Sequence, residues 1–358
     1  MKKYWKFLKF WCLGLSIVLI IALAAFYGFL KDYQKVYDNT RPNLTMENLI
    51  SMFDENDTEL IFQYVEEEKY GNIELTKTHF SALLEGKEVA FDKKAGEYIE
   101  ERPVYVVTAD EQPVAVVRLA KQEQTAKYGL PLWEMKKIDP LMKKMEGYTV
   151  LIPDNVTASI SGYEMTEDRI VETGIPMEEA VYLKESKTLP CYNKYSLDDV
   201  YGEPAIEAKN ANGESLEVVL DEKEKCYTVL AGGDEALQEE LNDYIIKAVE
   251  EYAMYVSNDR PANALDKYFI QGSTLLKGIK ASQRQWYDAH KRPEIKNQQI
   301  KKFKVYSEDA ICAGVYLEQY MYVPFSGKTE MVVTDNDFYF VKQGNTWKIS
   351  GISFSFDS

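Results

Sequence analysis

From Asp234, a residue suited to cap a helix, apolar side chains recur at Leu237, Leu241, Tyr244, Ile245, Ala248, Val249, Tyr252, Tyr255 and Val256. That 3.6-residue period predicts a helix of about six turns. Ser257–Pro261 ends it, because proline cannot continue a helix and disfavours α geometry in the residue before it. A short helix carrying Leu265, Tyr268 and Phe269 follows. Ser273 then caps a third helix, with Leu275, Leu276, Ile279, Trp286 and Tyr287 on one side. Past Pro293 the period changes to two. Ile311, Ala313, Val315, Leu317, Met321 and Val323 fall on one strand face, interrupted only by Gln319. Cys312, Gly314, Tyr316, Glu318, Tyr320 and Tyr322 fall on the other. Turns are expected at 324–328 and 343–345. Helices followed by long paired strands predict an α+β arrangement, an antiparallel sheet curled over helices, across 234–358.

The first third shows the same order. Met46, Leu49, Ile50 and Phe53, then Leu60, Ile61, Tyr64 and Val65, then Phe80, Leu83 and Leu84 mark helical pieces. Val104–Val107, a turn at 110–113, Val114–Leu119 and Leu132–Ile138 mark strands. Residues 43–143 therefore read as a smaller, diverged copy of the same architecture. Between the two, residues 145–232 hold short strands at 148–152, 156–160, 205–208, 216–220 and 226–230, with a hairpin signal at Asn212-Gly213. This stretch is expected to be a small all-β linker domain.

Residues 10–30 carry no charge and are long enough to cross a hydrocarbon core as a helix. Trp5, Trp11 and Tyr27 sit near the ends of the run, where amphipathic aromatics favour the interface. Lys2, Lys3, Lys6 and Lys9 precede it, so residues 1–9 are expected as a cytoplasmic tail and residues 31–358 outside the cell membrane, joined by a polar tether over 31–42. Ala22-Leu-Ala24 also fits a signal-peptide cleavage pattern, but the apolar run continues past it through Leu30, which suits an uncleaved anchor better.

The helix–helix–helix and strand order, with Lys342-Gln-Gly-Asn-Thr-Trp-Lys-Ile349 near its end, resembles the NTF2-like superfamily of cone-shaped α+β domains. Tyr268-Phe-Ile-Gln-Gly-Ser-Thr-Leu-Leu-Lys277 is also similar to the terminal domain of the teicoplanin-resistance-associated membrane proteins of Gram-positive bacteria. The Cys-rich zinc ribbon with which those proteins begin has no counterpart here. The resemblance covers about the last third of the chain. It implies a bacterial envelope protein that binds or scaffolds, with an envelope protein or cell-wall glycan as partner. Some NTF2-like proteins are isomerases or dehydratases that use Asp, His or Tyr inside the cone, so an enzyme with a pocket in the terminal domain is the alternative.

The net charge of the whole chain is −16; beyond Lys9 the remaining 38 basic and 58 acidic residues leave −20. So acidic a surface repels nucleic acid at long range, and nucleic-acid binding is disfavoured. Of the four cysteines, Cys12 lies within the apolar run. Cys191 and Cys226 share the middle region and are free either to pair or to stay reduced. With two histidines and no Cys-x-x-Cys pair, no metal site is expected, and no cofactor fingerprint occurs.

Candidate chemistry is sparse. His290, Asp335 and Asp337 can be cast as an acid–base set, but His290 beside Lys291 and Arg292 reads more simply as a solvent-facing histidine, as does His79. No catalytic residue is expected at His290. The aromatic load, with 26 Tyr and 15 Phe, points instead to recognition. Tyr316, Tyr320 and Tyr322 are expected to share one strand face and to form a recognition surface, the aliphatic face being the one that covers the helices. Ordinary strand packing explains the same residues equally well.

Overall fold

The computed structural model of the protein describes residues 2–282 and 289–354. It is an α+β chain with an apolar N-terminal helix and several sheets, and it divides into two compact units, Met1–Met145 with Asp199–Pro204 and Glu146–Asp198 with Ala205–Ser358.

In the first unit, helix α1 (Lys2–Asn39) carries the apolar run. Among the described residues it is the one helix long and apolar enough to cross a membrane. Its upper part differs from the expected tether. No glycine or proline occurs between Gly28 and Pro42, so nothing stops the helix at the end of the apolar run and it continues to Asn39. Helices α2 (Pro42–Leu49), α3 (Ser51–Asp54), α4 (Thr58–Phe62) and α5 (Ile73–Leu84) follow. Asp57 caps α4 by accepting from Leu60 N at 3.0 Å, and Asn72 caps α5 by accepting from Leu75 N at 3.0 Å. Strands β1 (Val89–Lys93), β2 (Val104–Ala109), β3 (Gln112–Thr125) and β4 (Pro131–Pro140) pair antiparallel in chain order. The β2–β3 turn holds Asp110 and Glu111 at φ 47° and 66°, both left-handed, as a two-residue turn matched to strand twist demands. Met46, Phe53, Phe62, Phe80, Tyr105, Val117 and Ile138 form the core between helices and sheet.

The second unit begins with short strands: β5 (Thr149–Pro153), β6 (Thr157–Ile160), β7 (Tyr163–Glu164), β8 (Ile170–Pro176), β9 (Cys191–Ser196), β10 (Ile206–Lys209), β11 (Ser215–Leu216), β12 (Val218–Asp221) and β13 (Cys226–Val229). They form two small sheets, ordered β11-β10-β6-β7 and β12-β13-β5-β9-β8. The strand expected over 216–220 is therefore shared, β11 lying in one sheet and β12 in the other. Cys226 pairs opposite Thr149 at one end of β5, while Cys191 lies just beyond Tyr192, the partner of Pro153, at the other. The offset is roughly 16 Å along the strand, far beyond the ~7 Å Cα separation a disulfide tolerates. Both are free thiols.

Helix α6 (Glu235–Val256), helix α7 (Thr274–Ala281) and strands β14 (Glu294–Ser307), β15 (Ala310–Val323), β16 (Lys328–Gln343) and β17 (Thr346–Phe354) complete the unit. Asp234 accepts from Leu237 N at 2.8 Å and Ser273 from Leu276 N at 3.1 Å, as helix caps should. The sheet is an antiparallel meander, β14-β15-β16-β17. Its inner face buries Ile311, Ala313, Val315, Leu317, Phe338, Phe340 and Ile349 against Leu241, Ile245, Val249, Tyr252 and Phe269. The expected positions Trp286 and Tyr287 of the third helix lie outside the described residues.

Among the described residues, an apolar cluster covers one end of the outer face. Cys312, Tyr339, Val341 and Tyr306 pack with Met177, Leu183 and Tyr182. The rings of Tyr182 and Tyr339 stack at 4.5 Å, and Ser350 Oγ donates to Tyr182 O at 2.6 Å. Gly351 permits this approach, since a Cβ there would lie 2.5 Å from that of Tyr182. In the β14–β15 turn, Asp309 accepts from Lys187 N at 2.9 Å and from the hydroxyls of Ser186 and Ser307 at 3.0 and 2.8 Å. Burial alone would raise its carboxyl, but the Lys187 amide and the two hydroxyls outweigh it and hold the carboxyl below the ordinary range.

Two outcomes follow. Alkylation and mass spectrometry of the oxidised protein should find Cys191 and Cys226 reduced and separately labelled; a linked peptide contradicts the strand register. The depressed Asp309 carboxyl contributes its full stability above the ordinary Asp range near 4 and loses it as pH falls through the lower folded value. Hydrogen exchange, corrected for its intrinsic pH dependence, should show residues 183–189 losing protection in that acid window, and Asp309→Asn should expose them already at pH 7.

Candidate functional site

Beyond Gly314 the outer-face side chains of β15 are half-buried or exposed. Tyr316, Glu318, Tyr320 and Tyr322 alternate with the buried Val315, Leu317, Gln319 and Met321, so they stand together on the open side. Glu318 ties two of the rings together. Its Oε1 accepts from the Tyr316 hydroxyl at 2.7 Å, and its Oε2 accepts from the Tyr320 hydroxyl at 2.6 Å and from Asn297 Nδ2 at 2.8 Å. The Tyr320 and Tyr316 hydroxyls hold the Glu318 carboxyl below its usual range, so it stays charged and keeps accepting.

Each ring carries a lysine from β14 or the segment before it. The ammonium of Lys301 lies 4.3 Å from the centroid of Tyr316, that of Lys296 5.2 Å from Tyr320 and that of Lys291 5.1 Å from Tyr322. Lys301 also donates to Asp335 at 2.7 Å, next to Tyr316 in register. On the neighbouring strand Met331 pairs opposite Tyr320 and Val333 opposite Glu318, with 53% and 43% of their surfaces exposed. Phe325, in the turn after Tyr322, is 99% exposed. The three tyrosines thus lie where the alternation places them. The residues that sequence reasoning missed are Glu318 as a clasp, the capping lysines and the apolar pair on β16. The signal for the first was its position between two tyrosines on the same face.

The acid–base set divides between the faces. Asp335 and Asp337 are paired with Lys301 and Lys302 on the outer side. His290 belongs to a different cluster and is not the solvent-facing residue expected. Its side chain is 6% exposed, and its Nε2 lies 2.9 Å from Asp259 Oδ2. The same oxygen is 2.7 Å from Ser257 Oγ, which in turn accepts from Gln319 Nε2 at 3.4 Å. A partner 31 residues away in sequence draws the ring in. His79 is likewise buried, with Nδ1 2.5 Å from the Tyr201 carbonyl, because residues 199–204 fold back onto α5.

The Ser257–Asp259–His290 order matters for chemistry. A nucleophilic serine needs the imidazole as its immediate neighbour, with the carboxylate behind it. Here the carboxylate stands between them, so Ser257 meets a weakly basic carboxylate instead of the imidazole. Ser257 and Gln319 are also sealed, at 1% and 3% exposure.

No known protein family matches the chain. No curated protein matches it either. Among solved structures, one described as an "Ntf2 like protein involved in plasmid conjugation" aligns over 83% of this chain and 86% of its own, with 8% identity and a TM-score of 0.24. A likeness so slight leaves the fold to rest on the chain's own geometry.

Removing the shared acceptor tests the buried cluster. Asp259→Ala should destabilise the terminal domain by about 1–3 kcal/mol, the cost of leaving buried donors unmet. Gln319→Leu should cost much less, since its one long bond is lost while the aliphatic face is extended. Urea unfolding of the detergent-solubilised chain reads both, and equal costs would show that Asp259 is not the centre of the cluster.

Proposed function

We propose that the chain is a single-pass membrane protein of a bacterial envelope, with α1 as its anchor and the bulk of the chain outside the cytoplasm. It acts by binding or scaffolding through NTF2-like modules, one within 43–143 and one within 234–358, separated in sequence by the strand-rich stretch 145–232. The observation that carries this reading is the tyrosine platform. A sheet face whose reverse is packed against helices presents aromatic rings pinned by Glu318 and flanked by Met331, Val333 and Phe325.

Pinning matters energetically. Side chains already fixed lose little rotamer freedom when a partner arrives, a saving of about 0.5–1.5 kcal/mol for each immobilised side chain. Rigid aromatic surface with satisfied hydroxyls, edged by cations, suits the face of another protein or of a sugar chain. The enzymatic reading has one observation in its favour, the burial of His290 on Asp259. Against it stand the order of the three groups and the sealing of Ser257, and we assign the cluster a structural role.

The test replaces Tyr316, Tyr320 and Tyr322 together by serine. The far-UV spectrum and thermal midpoint should stay close to those of the wild type, while capture of envelope partners or cell-wall fragments from solubilised membranes should fall several-fold. A variant that fails to fold would mark the stripe as core. A folded variant with undiminished capture would move the binding surface elsewhere.

A further inference from the structure

The hairpin joining β3 to β4 reaches back to α1 at the level where its apolar run ends. Tyr128, at the tip, meets Phe29 edge-on with ring centroids 5.3 Å apart and lies 5.5 Å from Tyr33. Lys127 donates to Asp32 Oδ2 at 2.6 Å, and the Tyr128 hydroxyl donates to the same oxygen. Tyr128 holds φ 68° and ψ 12°, a left-handed conformation that costs a non-glycine residue about 1–2 kcal/mol. In ordinary hairpins glycine takes such a position; here a tyrosine is held there with its ring against the helix.

Height follows from helical rise. Phe10–Leu30 is close to the ~30 Å of a hydrocarbon core at 1.5 Å per residue, so Leu30 marks the outer boundary. Phe29 lies just inside that boundary and Asp32 about 3 Å beyond it. The rings of Tyr128 and Tyr33 and the Lys127 ammonium therefore sit at the depth of the lipid headgroups. Tyr128 is 39% and Phe29 48% exposed, so both retain surface for lipid. Tyrosine prefers this layer, where its ring meets apolar chains and its hydroxyl meets water. Phe29, Asp32 and Val36 recur every three to four residues on one side of α1, Thr40 follows just past its end, and the last three are less exposed than their neighbours.

We propose that the β3–β4 hairpin tip, Lys127 and Tyr128 above all, is a second membrane contact that seats in the headgroup layer of the bilayer crossed by α1. The proposal rests on the anchor reading of α1 given above. It fixes the height of the hairpin tip, which β3 separates from the Asp110-Glu111 turn by about 43 Å of strand.

Strand β3 supplies a ruler for the test. In the full chain, with the four native cysteines replaced by alanine, nitroxide labels are placed singly at Thr125→Cys, Glu111→Cys and Ile20→Cys. Each protein is reconstituted into vesicles of phosphatidylglycerol and phosphatidylcholine, and collisions with oxygen and with a water-soluble nickel chelate are compared. The Thr125 label should show the mixed accessibility of the headgroup layer, and the Glu111 label that of open water. Adding Lys127→Glu with Tyr128→Ser should raise nickel access at Thr125 several-fold and leave the other two labels unchanged. A Thr125 label as open to nickel as Glu111 overturns the proposal. So does one shielded from both reagents, which marks a protein contact such as a second copy. A double variant without effect removes Lys127 and Tyr128 from the contact and overturns it as well. The Ile20 label reports separately: if it is not in hydrocarbon, the anchor reading itself fails.

Discussion

Strand β15 can send only every second side chain toward α6, and the terminal domain depends on how that alternation is spent. The inner series runs Ile311, Ala313, Val315, Leu317 and Met321, all without exposed surface. The Ile, Val, Leu and Met side chains stabilise by roughly 1.5–3 kcal/mol each when fully buried, so the series commits the strand to one face. A slip of one residue would place the tyrosines on α6 and the aliphatic residues in water. With the inner face committed, the outer series must find its own partners. It does so in two ways: Cys312 lies under Tyr182 and its neighbours, while Tyr316 and Tyr320 close on Glu318. The same strand therefore carries a sealed contact at one end and an open platform at the other. Burial at the sealed end is deep enough to push the Cys312 thiol up to about 12, so it behaves there as a small apolar side chain.

Gln319 is the one position where the inner series breaks, and the break organises a second feature. A buried amide must be hydrogen-bonded, and the nearest polar groups are those that end α6. Ser257, Asp259 and His290 gather there, so the helix terminus, the loop beyond it and the approach to β14 are held at one point. A buried histidine beside an aspartate and a serine invites a catalytic interpretation. The order of the bonds argues instead for a structural clasp, in which one carboxylate oxygen is shared by Ser257 and His290.

What the sequence made legible was what depends on near neighbours. The period of three to four gave α6 and its cap at Asp234, the period of two gave β15, and the Asp110 turn separated β2 from β3. What it hid depends on distance or on what is not there. The burial of His290 and His79 comes from partners 31 and 122 residues away. The separation of Cys191 from Cys226 needs the order β13-β5-β9, including a parallel pairing of β13 on β5 that no local pattern announces. Polar residues 31–39 looked like a tether because charge interrupts the apolar run, yet charge alone does not end a helix. The tyrosine face was half legible. Its three rings followed from alternation, whereas the clasp and the lysines required the neighbouring strand in register.

The helical form of residues 31–39 changes how the apolar segment is joined to the folded unit. A flexible linker lets a domain sample a range of heights and orientations above the membrane, and that freedom must be given up each time it binds something fixed. A helix that runs unbroken from the apolar segment to Asn39, braced against the β3–β4 hairpin through Phe29 and Asp32, gives up that freedom once, during folding. The Glu318 clasp applies the same logic at the scale of side chains, fixing two rings before any partner arrives. In both places order is set during folding, by contacts within the chain itself: Phe29 and Asp32 with the hairpin, and Tyr316 and Tyr320 with Glu318.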